Sequence, residues 1–407
     1  MAVIPIAGAV LALLGVVFQF ALLPRLTVFG VLSRSLENKS NGRCEIIPQL
    51  QGCEDMWLHQ DTGYLYAACS DPLTSRMSWL PCQDRLDWNK YPATTDYIAV
   101  VDTRGSGPWS ERIRKVTPKN FPGVQVNGQP IYNLHGISVH VADSVLPGSK
   151  PTLKFFIVNH RPPVDAQGRI DAAAALKSGA NSTVELFTTT VGSDEFEYEH
   201  TFAHPEIRTP NSLAATGKDS FIFTNDHGAK VGHGRALDLL LARSNAGYCD
   251  KKGCKNALSP LPFPNGITNG AKDKEYWIAS TSDGKLRQVE LQADGSLVLL
   301  DEVATGYPMD NLRTDSNGHV WAASFPKLLK LLPHFEDPVN THSPAHAMRL
   351  RLNEGKDAFF GQKYSVDHVF EDDGKIASGI TVVVHDTDKR KLFMGGVQTP
   401  YSLVCDI

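Results

Sequence analysis

An all-β repeat fold is predicted by three features of this 407-residue sequence. First, short segments rich in β-branched and aromatic residues recur along it, among them DYIAVVDT, TLKFFIVNH, STVELFTTT, EYWIAS and KLFMGG. They are bounded by Gly, Asp, Asn or Pro, the pattern of strands between turns. Second, helical periodicity after the first 32 residues is confined to 169–181 and 235–247, the latter being the more amphipathic. Third, six segments share one plan: a polar leader, an aliphatic pair, a turn and a strand with bulky residues. Their leaders are Glu54, His135, Asn211, Asn265, Asn311 and Ser378. Six sheet-forming repeats predict a six-bladed β-propeller over 33–407, with the innermost strand of each blade lining a central channel.

Residues 2–24 carry no charge, and about 20 apolar residues suffice to cross a bilayer core. A cleaved signal peptide has a shorter apolar stretch and a basic start. Here the basic residues, Arg25 and Arg34, follow the stretch. Residues 1–32 are therefore expected to be an uncleaved signal-anchor helix rather than a cleaved signal. The propeller would then be luminal or extracellular and reach the membrane through that helix; with the signal cleaved, it would instead be secreted. Two sequons, at Asn38 and Asn181, and seven cysteines agree with export. Bridging Cys44 to Cys405 would tie the ends of the propeller together. Cys249 with Cys254 can close a small loop and Cys69 with Cys82 another, and an odd count leaves one thiol over.

The composition, 42% hydrophobic and 21% charged, is that of a globular protein with a sizeable core. With a formal net charge of −4 and no cationic cluster, the chain lacks the basic face that nucleic acid requires.

If the leaders meet at one axis, Glu54, Asn211, Asn265, Asp310 and Asn311 offer only carboxylate and amide oxygens. Such a set suits Ca²⁺, which takes six to eight oxygens in tolerant geometry. Zn²⁺ would call for His or Cys. A cation held this way can polarise a carbonyl. His135, at the leader position of its own repeat, is the candidate base. His160, at the end of FFIVNH, is placed to orient it, and His227 is a third candidate.

At these residues the chain resembles the paraoxonase family of calcium-dependent arylesterases and lactonases. The resemblance covers 44–407 and lies in GCEDMW, LHGIS, IVNH, PNSLAATGKDSFIFTNDH, PNGI, MDNL and the closing LVCDI. It implies a catalytic calcium on Glu54, Asn211, Asn265, Asp310 and Asn311, and a catalytic dyad of His135 and His160. It also implies a second, structural calcium on Asp55 and the backbone carbonyl of Ile137, where Ser212 stands in place of the family's Asp. Cys44 and Cys405 fall on the family's terminal disulfide. The implied substrate is a small ester or lactone. Ser324-Phe325 replaces a Cys-His pair of the family, while 71–95 and 161–180 look like insertions. The stretch after Asp226, a lid in the family, aligns poorly. Propeller enzymes similar to gluconolactonase or strictosidine synthase, and a non-catalytic calcium-stiffened propeller, are the alternative readings.

Overall fold

Alternation along each repeat buries both faces of every central strand, and six antiparallel sheets result. The computed structural model describes residues 3–407 apart from 33, 72, 91–95, 143–148, 356–357 and 359–360, with side chains from Val10 onward. Blade 1 comprises Asp55–His59, Tyr64–Cys69, Tyr97–Asp102 and Ile113–Lys115. Blade 2 comprises Leu134–Ala142, Thr152–Asn159, Thr183–Thr190 and Glu195–Phe202, with Thr117–Lys119 added in parallel at its outer edge. Blades 3, 4 and 5 begin with Pro210–Gly217, Pro264–Asn269 and Met309–Thr314. Blade 6 runs Val382–Asp386, Lys391–Gly395, Ser402–Asp406, and its outer strand is Cys44–Ile47 from the other end of the chain. The six inner strands pack side by side in a closed ring.

Six apolar wedges, one at each blade–blade interface, make up the core of the ring. Because strand side chains alternate, neighbours serve different wedges. Phe155 packs toward blade 1 and Phe156 toward blade 3. Trp277 packs toward blade 5 and Ile278 toward blade 3. Two blades thus share every wedge, and no blade buries its faces alone.

The ring is closed by pairing Cys44 with Cys405 across the blade-6 ladder, and a disulfide joins the two. Cys249–Cys254 bridges the third and fourth strands of blade 3, as expected. The third bridge is Cys53–Cys69, not Cys69–Cys82. The register Asp55↔Ala68 brings Cys53 beside Cys69 within one hairpin, and Cys82 is left as a half-buried thiol.

Of the two helical segments, 169–181 contains the helix Ala172–Ser178, capped where Asp171 accepts the Ala174 amide (2.9 Å). The expectation for 235–247 fails. It holds only a tight turn, Arg235–Leu239, before Ser244–Asp250 enters blade 3 as its third strand. Pairing with Ser220–Asn225 overrides the local periodicity there. The amino terminus is helical from Val3 to Val28 with one wider turn at Phe18–Leu22. Its span Val10–Val28 has a mean hydropathy of 1.9 and none of it is buried, so it is long and apolar enough to cross a membrane. Arg34 fastens its foot to blades 4 and 5, donating to the carbonyls of Gly306 (2.7 Å) and Pro326 (3.1 Å).

Two predictions follow from this closure. Cys44→Ser should lower stability by about 2–5 kcal/mol, because the bridge it removes closes nearly the whole chain. Denaturant unfolding measures this, and an unchanged midpoint would mean the ladder suffices. Blades 5 and 6 are also tied through the buried Asp315 carboxylate, which accepts from His385 Nδ1 and Trp321 Nε1, both at 2.8 Å. Burial pushes Asp315 up, but these bonds outweigh it and hold it below the usual carboxylate range. A depressed carboxyl stabilises above its unfolded pKa and loses that contribution as pH falls through the folded value. Stability should therefore drop below about pH 4, and Asp315→Asn should flatten that part of the pH–Tm curve.

Candidate functional site

Four inner strands break register at the same place. Shifts fall between Leu134 and Ile137, Pro210 and Leu213, Pro264 and Ile267, and Met309 and Leu312. Two residues in each blade are thereby released from the ladder, and such bulges re-aim side chains. The released pairs are His135-Gly136, Asn211-Ser212, Asn265-Gly266 and Asp310-Asn311. The glycines serve close approach of neighbouring strands. A Cβ on Gly136 would lie 2.3 Å from the Asn211 carbonyl oxygen, and one on Gly266 2.5 Å from that of Asp310.

The five predicted oxygen donors are all buried, none more than 8% exposed. Asn311 Nδ2 donates to Glu54 Oε1 (3.1 Å) and to the Glu54 carbonyl (2.9 Å). Asn265 Nδ2 donates to Thr281 Oγ1 (3.2 Å). Asn265 and Asn311 thus spend amide hydrogens on the protein. The Oδ1 atoms of Asn211, Asn265, Asp310 and Asn311 are left buried without a hydrogen-bond partner. A buried polar atom without a partner costs about 1–3 kcal/mol, and four at one level of the ring call for a shared ligand. Burial pushes Glu54 up to about 7 and Asp310 well above the carboxylate range, with Glu54 adding to the effect on Asp310. Two carboxylates and three amides fit a hard divalent cation. Among the described residues, no group of three or more His, Cys, Asp or Glu forms a metal cluster of that kind.

The dyad is adjacent to this set. His135 Nε2 lies 3.4 Å from Glu54 Oε1, and neither of its ring nitrogens has a hydrogen-bond partner. His160 stands beside it, ring centroids 5.1 Å apart, with Nδ1 bonded to Ser182 Oγ (2.9 Å) and Nε2 free. Burial lowers both, His135 well below the imidazole range and His160 to about 4, so both are neutral. His227 is paired with Asp226 (2.7 Å) and packs edge-on against Phe263.

One placement differs from the repeat pattern. Ser378 is not at the channel: its hydroxyl receives the Ser343 amide and contacts His334. Thr381 supplies the blade-6 oxygen instead, donating to Glu54 Oε2 (2.7 Å). The Asp55 carboxylate and the Ile137 carbonyl do lie together, and both accept from the Arg313 guanidinium. Sequence reasoning passed over Arg313. Its only signal was a basic residue two positions after Asn311 on the same buried inner strand.

A family model described as Arylesterase matches residues 174–407, a stretch that holds blades 3 to 5 and the three inner strands of blade 6. The chain belongs to the arylesterase family. Serum paraoxonase/arylesterase 2 of Gallus gallus is 28% identical over 65% of this chain and 66% of its own length. Serum paraoxonase/lactonase 3 of Homo sapiens is 22% identical over 62% of this chain and 63% of its own. The matched part thus spans about two thirds of the length of these relatives. Among solved structures, a calcium-binding regucalcin of Agrobacterium tumefaciens superimposes with a TM-score of 0.46 at 9% identity, covering 91% of this chain and 94% of that one.

In this arylesterase-family chain the segment around 73–88, singled out as an insertion, roofs the channel. Arg76 Nη2 donates to Asp96 and to the Leu134 carbonyl, both at 3.1 Å. Trp79 Nε1 donates to the His160 carbonyl (2.8 Å). Arg235 reaches over from the loop after Asp226 to the carbonyls of Pro81 (2.9 Å) and Cys82 (2.7 Å). Two cavities touching His160 are about 10 Å³ each, room for a single water. A cavity of about 580 Å³ lies instead between blades 1 and 2, behind Leu134 and Asp96.

If Arg235 latches this roof, Arg235→Ala should expose Cys82. Losing two charge-assisted hydrogen bonds should raise the rate of Cys82 alkylation by roughly 10- to 100-fold. Timed iodoacetamide labelling read by mass spectrometry checks this, and an unchanged rate would remove Arg235 from that role.

Proposed function

We propose that this chain is a calcium-dependent hydrolase of aryl esters and lactones. The observation that carries the reading is the set of four partnerless oxygens beside a histidine pair with free ring nitrogens. Glu54, Asn211, Asn265, Asp310 and Asn311 would hold the ion. Bound there, calcium supplies a Lewis acid that polarises the scissile carbonyl. His135, neutral and with its nitrogens unengaged, takes a proton from the attacking water. His160, fixed by Ser182, orients its neighbour or passes the proton on. Glu54 is held by Asn311 and Thr381, so its carboxylate keeps one geometry through the cycle. The shut roof excludes bulk water, which strengthens every charge interaction beneath it.

The three disulfides, the exposed Asn38 and Asn181 side chains and the unburied apolar helix support a place in the secretory pathway, with both asparagines as glycosylation sites. The propeller would sit on the luminal or extracellular side, held by that helix.

Hydrolysis of phenyl acetate and of an acyl lactone should fall at least 100-fold in EGTA and return with added calcium. Asp310→Asn should lose activity to a similar extent while keeping its circular dichroism. Full turnover in EGTA would refute the reading.

A further inference from the structure

We infer that Arg313 is a built-in cation that takes the place of a second metal ion in this channel. Asp55 is fully buried at the start of the blade-1 inner strand and needs a counter-charge. Arg313, buried on the blade-5 inner strand, provides it. Its Nη2 donates to Asp55 Oδ2 and to the Ile137 carbonyl of blade 2 (2.8 Å). Its Nε donates to the Met56 carbonyl and its Nη1 to that of Leu312 (2.9 Å). The remaining Asp55 valences are taken too: Oδ1 accepts the Met56 amide (2.9 Å), and Oδ2 also accepts the Ile137 amide (2.8 Å). One planar guanidinium thus ties three blades together, which its fixed fork of donors suits.

The residues expected to hold a second calcium therefore do not fit one. Ca²⁺ needs six to eight oxygens, whereas this place offers one carboxylate and the carbonyls of Met56, Ile137 and Leu312, all already engaged by the Arg313 guanidinium. Ser212 does not extend the set. Its hydroxyl accepts the Ile267 amide of blade 4 (3.3 Å). The contrast with the level above is sharp: four oxygens lack partners there, and no polar side-chain atom of Asp55, Ser212 or Arg313 does.

The test counts metal and reads stability. Protein saturated with calcium and desalted should carry one equivalent by plasma mass spectrometry, and Glu54→Gln/Asp310→Asn should carry none. One equivalent remaining in that variant would overturn the inference. A wild type without calcium would instead count against the proposed catalytic ion. Arg313 is then judged by Arg313→Met, whose Tm in EGTA should fall by about 5–10 °C because it leaves Asp55 buried and unpaired. A Tm unchanged from wild type would overturn the inference whatever the metal count.

Discussion

Three carboxylates, Glu54, Asp55 and Asp310, are buried in one channel, and the design of the centre follows from having to neutralise them. Charge in such a place is costly unless it is paired and hydrogen-bonded. Asp55 has its partner in Arg313, built into the chain. Glu54 receives the Asn311 amide, whereas Asp310 Oδ1 and the side-chain oxygens of Asn211, Asn265 and Asn311 have no partner and add to the negative field. One level of the channel is thus complete as folded, and the level above it leaves four oxygens without partners.

The ring makes this crowding possible. An isolated strand would turn its polar leader to water, but six inner strands in mutual contact leave no such direction. The repeated bulge releases two residues per blade from the ladder, and Gly136 and Gly266 let neighbouring backbones approach where a side chain would collide. Closure of blade 6 by Cys44–Ile47 then holds the circle shut. Stability and chemistry share the same strands, since the apolar side chains that fill the wedges, Ile137, Leu213, Ile267 and Leu312, directly follow the released pairs.

Much of this was legible in the sequence because it is periodic. Strand alternation, six leaders and the terminal cysteines gave the propeller, its closure and the oxygen-rich level. What stayed hidden depends on single long-range contacts. Thr381 rather than Ser378 faces Glu54 because blade 6 starts its inner strand later than the pattern suggests. The amphipathic stretch at 235–247 yields to a ladder its local periodicity cannot foresee. Cys53 and Cys69 are joined by hairpin register, which spacing alone leaves open. Arg313 and the roofing arginines, Arg76 and Arg235, find partners from about 20 to more than 250 positions away, where no local pattern points.

The most direct measurement is a crystal structure grown with calcium and phased to show its anomalous scattering. The account predicts a single peak framed by Glu54, Asn211, Asn265, Asp310 and Asn311, with the Arg313 guanidinium still on Asp55. A peak in contact with Asp55 and the Ile137 carbonyl, or no peak anywhere in the channel, would contradict it.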